Sequence, residues 1–402
     1  MIDPHARPYG VGLAYRYLIH EGILDHESEI DLLELSTEDY LDRQRRVQTD
    51  PQETLLTEAL DQFPCVAHGL SLSIGSVEPL DQGYLLGTKR FLESHNLTVF
   101  SEHLAFHRFD DRDLTMFLEL PFEEDAVQWI KRNYHAVRNY LGRPFALENV
   151  TYPFAASRPS LQEAEFFSRI AEETDCSFLL DVTNLFNNAH NHGYEIGAFL
   201  DRYPLDRVTQ LHLAGGHEVD GQWEDSHSHP VMDPVWELYE EVLERTTAEI
   251  VIVERDSRFD PFDRVMEDVG KARECFYAHR PQVPDAPTPH QLFSPNPSSG
   301  RDNGSSDPFF ANLRGFQQAV MHRITDPDYR ETYYRDPEAI LASLSVSPEW
   351  KQRVTECDLR EMAKLEQSWD GLSRIYREEE EQFEKDEWAS WARVLESEAV
   401  PS

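Results

Sequence analysis

Cysteine is scarce in this chain of 402 residues: there are 4, at Cys65, Cys176, Cys275 and Cys357, and no two are spaced as CxxC. That excludes a zinc ribbon and a disulfide framework, and it leaves Cys65 and Cys176, both in apolar runs, to core packing. Lysine is confined to Lys89, Lys131, Lys271, Lys351, Lys364 and Lys385, the remaining basic residues being arginines. Positive charge as a whole is short, with 37 basic residues against 75 acidic ones. A surface of that sign repels phosphates and excludes a general nucleic-acid binder. It fits a protein that works in high salt, where repulsion is screened, and equally a plain acidic enzyme. No run of eighteen apolar residues occurs, so no membrane span is expected. The start, MIDPHARPYG, has neither the basic segment nor the apolar stretch of a signal peptide, and a cytoplasmic location is expected.

What is present is an alternation of short apolar runs with longer amphipathic ones. The candidate strands are Val11 to Tyr15, Ile30 to Leu35, Cys65 to Leu70, Thr98 to His103, Phe145 to Asn149, Phe178 to Val182, Val208 to Leu213 and Ile250 to Glu254. Between them, Asp125 to Leu141, Leu161 to Glu173 and Pro234 to Arg245 repeat apolar residues at spacings of three and four, which predicts helices. Strand then helix, eight times over, predicts an α/β fold, a (β/α)8 TIM barrel across residues 1–280. No GxGxxG turn follows the first run, which counts against a dinucleotide-binding sheet. Residues 281–308 are rich in Pro, Ser, Gly and Asn and read as a flexible linker. Residues 309–402 read as a small C-terminal all-α domain. Its apolar stripe runs through Phe310, Leu313, Phe316, Val320 and Ile324, with helix starts at Asp336-Pro337 and Ser347-Pro348. The run Glu378 to Glu381 reads as a solvated helix face.

Chemistry concentrates at the strand ends. Strands two to six end near Glu34, at His68, at Glu102-His103, at Glu148-Asn149 and at Asp181 to Asn184; strand seven holds His212 and strand eight ends in Glu254-Arg255-Asp256. Loops add His190 to Gly193 after strand six and Glu224 to His229 after strand seven. In a barrel all these ends face one mouth. Gathering so many ionisable groups is costly unless a cation compensates. Taken singly each has a plainer reading: a strand-end histidine is more often a hydrogen-bonding core residue, Glu148 could pair with an arginine, and Asn149 or Asn184 could cap a turn. His190, His217 and His229 sit in polar loops where solvent exposure is the simpler account. It is the joint pattern that points to metal. Imidazole and carboxylate without thiolate suits iron, manganese or catalytic zinc. His68, His103, Glu148, Asp181, Asn184, His192, His212, Asp225, His227 and Glu254 are more donors than one ion of about four to six coordination can use, which predicts two or three ions bridged by a carboxylate such as Glu148.

The stretches HGLSLSIGS (68–76), SEHLAF (101–106), LENVTYP (147–153), LLDVTNLF (179–186), NHGYE (191–195), LHLAGG (211–216), DSH (225–227) and VERD (253–256) resemble the multinuclear non-heme iron-dependent oxidative enzymes. That family includes the catalytic subunit of methanobactin oxazolone synthase and the cysteine carbon-excising enzyme of the thiaglutamate pathway. The resemblance implies a barrel holding two or three irons in a mixed Fe(II)/Fe(III) state, with O2 as co-substrate. It implies a ribosomally made precursor peptide as substrate, often modified at cysteine, and a partner protein that recognises the leader. Carried over by motif, His68, His103, Glu148, Asp181, Asn184, His212, Asp225, His227 and Glu254 would be iron ligands, with His192 in the NHG stretch a further candidate. The chain departs from the family at Thr183, where an Asn is usual, at AGGH, where AGH is common, and at DSH, which replaces DTH. The alternative is a zinc- or manganese-dependent hydrolase or isomerase of the same architecture acting on phosphate or sugar substrates. A third reading makes the helical tail a docking module for the precursor or a partner.

Overall fold

A computed structural model describes residues 7–41, 51–110, 112–152, 154, 159–219, 221–259, 261–280, 310–355, 362 and 366. Eight parallel strands close into a barrel: β1 (Gly10–Ala14), β2 (Leu33–Ser36), β3 (Cys65–Gly69), β4 (Phe100–His103), β5 (Ala146–Glu148), β6 (Ser177–Asp181), β7 (Val208–Ala214) and β8 (Ile250–Glu254). Closure comes from β1 pairing in parallel with both β8 (Gly10 with Ile250) and β2 (Leu13 with Leu33). Each strand lies within the run expected from the sequence or within three residues of it, and a helix follows on the outside. Among them are α1 (Gln82–Ser94), α2 (Glu124–Leu141), α3 (Glu163–Thr174), α4 (Val182–His192), α5 (Asp233–Arg245) and α6 (Asp263–His279).

Alternation along the strands explains where the chemistry goes. Side chains two apart share a face of a strand. In β8, Val251 and Val253 join the apolar layer under the helices, whereas Ile250 and Ile252 pack with Ala14, Leu32 and Val66 in a separate small cluster. That cluster fills the lower interior of the barrel. Two residues further along the same faces come Glu34, His68 and Glu254, so the polar residues form the next layer up, at the carboxyl ends. Register sets them side by side: His103 is level with Glu148, and Asp181 with His212.

Two hairpins, unforeseen in the sequence, rise from the carboxyl ends. One pairs Phe106–Phe109 with Arg112–Leu118 after β4; the other pairs His217–Val219 with Gln222–Glu224 after β7. The stretch His190–His192, expected as a loop, is the last turn of α4. Asp181 both ends β6 and caps that helix, its carboxylate accepting from the Asn184 amide at 2.7 Å, so the chain passes from strand to helix without a loop. Gly193, at φ +70, stops the helix.

The tail forms α7 (Ala311–Thr325), α8 (Pro327–Arg335), α9 (Pro337–Ser343) and α10 (Pro348–Thr355). The expected stripe is buried throughout, with Leu313 and Ile324 fully so. These helices seat on the barrel flank beside α2 and the first hairpin. The Gln317 side chain, wholly buried, donates to the Gly75 carbonyl (2.7 Å) and accepts from the Val77 amide (2.8 Å). Arg353 pairs with buried Glu123 at 2.8 Å, and Phe310 meets the Trp129 ring edge-on. The linker stretch and the Glu378 to Glu381 run lie outside the described residues.

Candidate metal centre

Three groups of donor atoms sit at the mouth. His68, His103 and Glu148 form the first; Glu148, Asp181, His212 and Glu254 the second; Asp181, Asp225 and His227 the third. Within each, the donor atoms lie within 4.8 Å of one another. Glu148 belongs to the first two groups and Asp181 to the last two, so the three are joined in series by shared carboxylates. The Glu148 carboxylate lies 3.2 Å from His68 Nε2, 3.4 Å from His103 Nε2 and 3.3 Å from His212 Nδ1. His212 Nδ1 is 3.0 Å from Glu254, and His227 Nε2 is 2.8 Å from Asp225.

These atoms are close without being satisfied. Glu148 Oε2, Asp181 Oδ2, His212 Nδ1, Asp225 Oδ1 and His227 Nε2 are buried and make no hydrogen bond among the described residues. Five donors without a hydrogen bond, set against one another in one small volume, would be expensive in a folded protein. All five are lone-pair atoms of the residue types that bind metal, and cations placed among them would supply the missing partner. The donor set therefore fits a metal centre.

Electrostatics agree. Burial, then the neighbouring carboxylates Asp225, Glu148 and Glu254, push the Asp181 carboxyl well above its ordinary range. Burial, with His103 and His212 alongside, holds His68 well below the usual imidazole value and leaves it a neutral lone-pair donor. For His212 burial works against protonation, but Glu254, Glu34 and Glu148 outweigh it and raise the ring well above its usual value. A cation would take over the role of those protons.

The outer sphere is equally defined. His212 Nε2 meets Glu34 Oε2 at 3.0 Å, His68 Nδ1 meets Ser101 Oγ at 2.9 Å and His103 Nδ1 meets the Gly69 carbonyl at 3.2 Å. Each turns the ring so that its other nitrogen faces the centre. The approach to His103 leaves no room for a side chain at Gly69, whose Cβ would stand 2.2 Å from the Glu102 carboxylate. The centre opens into a cavity of about 750 Å³ walled by both hairpins, with Phe117, Met116, Tyr152 and Trp223 among its apolar lining. A second cavity of about 860 Å³, at the amino ends of the strands, contains none of the three donor groups.

Of the ten residues expected from the sequence, eight fall in the three groups. Asn184 lines the same cavity beside Asp181, its Oδ1 accepting from Thr151 at 2.5 Å. His192 stands apart, stacked on Tyr152 (4.2 Å) with Nε2 on the Tyr152 carbonyl at 3.0 Å.

A family model described as RiPP precursor modification enzyme MbnB/TglH/ChrH matches residues 10–277, the whole barrel, in which these groups lie. The chain belongs to that family. RiPPs are ribosomally synthesised and post-translationally modified peptides, so it is a modification enzyme by membership. Relatives include a UPF0276 protein of Acaryochloris marina, 32% identical over 68% of this chain and 96% of its own length. Another, from Pseudomonas aeruginosa UCBPP-PA14, is 34% identical over 66% and 92%. Among solved structures, D-psicose 3-epimerase from Clostridium cellulolyticum H10 shares 13% identity over 68% of this chain and 97% of that one, at a TM-score of 0.39. The 3-keto-D-glucoside 4-epimerase of E. coli shares 13% over 67% and 100%, at 0.41. At that level of likeness nothing about chemistry transfers. No helix among the described residues is long and apolar enough to cross a membrane.

Within this family member, α4 does more than carry Asn184. Its asparagines at 184, 188 and 191 recur at helical spacing, and the first and last line the mouth. Asn184 donates to the Asn149 carbonyl and Asn188 to the Val150 carbonyl, while Asn191 exchanges two hydrogen bonds (2.8 and 2.9 Å) with the Trp223 backbone. The helix thus pins the loop after β5 and the second hairpin. Glu34 as the partner of His212, and the hairpin residues Phe117 and Trp223, are what the sequence reading missed. The Asp220-Gly221 pair between alternating runs was the available hairpin signal.

Proposed function

We propose that this enzyme is a multinuclear iron, O2-dependent oxidase that modifies a ribosomally made peptide, with cysteine as the residue acted on. The observation that carries the reading is the serial sharing of Glu148 and Asp181 among three donor groups, which suits two or three ions and exceeds the needs of one. The all-nitrogen and oxygen donor set is compatible with iron, and no thiolate is present to select zinc structurally. Asn184 is a candidate ligand through Oδ1, and His192 a positioning residue for the Tyr152 loop.

Bound iron would supply oxygen binding and one-electron oxidation; everything else falls to this chain. His68 and His103 offer ring nitrogens on one side of Glu148, and Asp225 with His227 close the other side. Glu34, Ser101 and the Gly69 carbonyl hold the rings in place. The hairpin walls, with Phe117 and Trp223, shield the centre from bulk water and leave a cavity large enough for a peptide side chain and its neighbours. A cytoplasmic setting, where such a precursor is made, belongs to the same proposal, as does a separate leader-recognising partner.

The test is elemental analysis of protein purified under low oxygen, followed by oxygen-consumption measurements with a candidate precursor. Two or three irons per chain with a mixed-valence signal supports the proposal. One zinc or manganese, with no iron uptake after anaerobic ferrous reconstitution, replaces it with the hydrolase or isomerase reading. Replacing His103 or Glu148 by Ala is expected to abolish turnover while circular dichroism reports an intact barrel. Retained turnover in both variants would remove them from the centre.

A further inference from the structure

The first hairpin carries a polar group that the metal centre does not use. His107, on Phe106–Phe109, is 4% exposed, and its backbone amide donates to Ser73 Oγ at 2.9 Å, so its position is fixed. Its Nδ1 lies 2.8 Å from Asp113 Oδ1 on the opposite strand of the same hairpin. Nε2 is buried and, among the described residues, makes no hydrogen bond. The residue lines the same cavity as His68 and His103. One aromatic ring, Phe117, separates it from the centre: Phe117 stacks on His103 at 3.9 Å and meets His107 edge-on at 6.0 Å.

With Asp113 accepting from Nδ1–H, the neutral ring carries its lone pair on Nε2. A buried imidazole backed by a carboxylate and lacking a partner on its free nitrogen is the arrangement of a general base that awaits a substrate. Among the described residues the ring joins none of the three donor groups, and its bond to Asp113, which ties the two strands of the hairpin, leaves Nε2 over. We propose that His107 Nε2 takes the hydrogen of the reacting side chain's X–H group, where X is sulfur or oxygen. This rests on the peptide-modifying reading above. In the step, the X–H bond breaks, Nε2–H forms and the electron pair stays on X. Asp113 remains ionised and stabilises the imidazolium. Reaching the ring requires Phe117 to turn aside, which assigns that side chain the role of a cover over both histidines.

The experiment uses the full chain loaded with zinc, which is diamagnetic, and labelled with 15N-histidine. Two probes are titrated in: N-acetylcysteine methylamide and N-acetylserine methylamide. The free protein is expected to show His107 in the Nδ1–H tautomer. The thiol probe should move Nε2 toward its protonated position, with the serine probe arm telling whether an alcohol does the same. Asp113→Asn should weaken that response at least several-fold, while Phe117→Ala should increase the probe's association rate; both fold as judged by their thermal transitions. An Nε2–H tautomer in the free protein, or a His107 signal that stays put while either probe saturates or fails to bind, overturns the proposal. The outcome is separable from the oxidative reading. Iron uptake with a silent His107 loses this inference alone, and a responsive His107 without iron uptake loses the oxidase alone.

Discussion

At the scale of single residues, the centre depends on side chains that would touch no metal. Glu34 contacts His212 on the nitrogen facing away from the three groups, and both are almost wholly buried. Losing such an outer partner costs roughly 10–100-fold in metal affinity. Glu34→Ala is therefore expected to weaken iron or zinc binding by about that factor, and Glu34→Gln, which keeps an acceptor, by less. Competition with a chromophoric chelator measures it; unchanged affinity in the alanine variant would show that the barrel alone orients His212. Glu163 offers a second test at this scale. Burial raises its carboxyl to about 7, although the Tyr152 hydroxyl donates to it at 3.0 Å. Because the folded-state value lies above the unfolded one, stability is full below about pH 4.5 and falls as pH rises toward 7, by about 3 kcal/mol in all. Glu163→Gln removes that dependence, so the gap in melting temperature between variant and wild type should widen in the variant's favour from pH 5 to pH 8. A gap constant with pH would mean that Glu163 is ionised in the fold.

At the scale of elements, what the sequence makes legible and what it hides follow from one rule. A buried parallel strand is a short apolar run and is visible as such, so all eight barrel strands stand in the sequence, and their alternation carries His68, His103, Glu148, Asp181, His212 and Glu254 to one layer. The hairpins are hidden because each strand is only three to seven residues long, which gives too short an alternation to stand out from loop. His107 and Phe117 were hidden with them. His192 lies apart from the three groups for another reason: the NHG stretch carries the residue types of a ligand site, but α4 runs straight on from Asp181 and carries His192 about three turns along the helix. Nor can spacing separate Glu34, which backs a histidine, from Glu254, which joins one, since both occupy the same layer. The tail shows how an element is held in place by few contacts. Gln317 fills both hydrogen-bonding needs of the loop between Gly75 and Val77. Gln317→Ala would leave a buried carbonyl and a buried amide unpaired, at about 1–3 kcal/mol each. The expected result is a lower melting temperature and faster amide exchange at Val77, while metal content stays unchanged. An undisturbed Val77 amide would show that water or a neighbour replaces the glutamine.

At the scale of the whole molecule two bodies of negative charge have to be kept apart. The formal charge of −38 resides mostly on the solvated surface, where repulsion is screened within about 10 Å at 0.1 M salt and about 3 Å at 1 M. The other body is the set of carboxylates at the mouth, Glu34, Glu148, Asp181 and Glu254, each no more than 6% exposed. Salt scarcely reaches those, and a bound cation would balance them. Adding sodium chloride should accordingly raise the melting temperature of metal-loaded and chelator-stripped protein alike, because it acts on the surface they share. Stripping the metal should lower the melting temperature by an amount that salt does not change. For a single ion present at about 100 times its dissociation constant, that loss corresponds to about 2.7 kcal/mol. Differential scanning calorimetry of both forms from 0.1 to 1 M salt reads the two effects separately. If the gap between the forms closed as salt rose, the carboxylates at the mouth would be reachable by solvent ions, and the three groups would be an acidic patch in water instead of a dry metal centre.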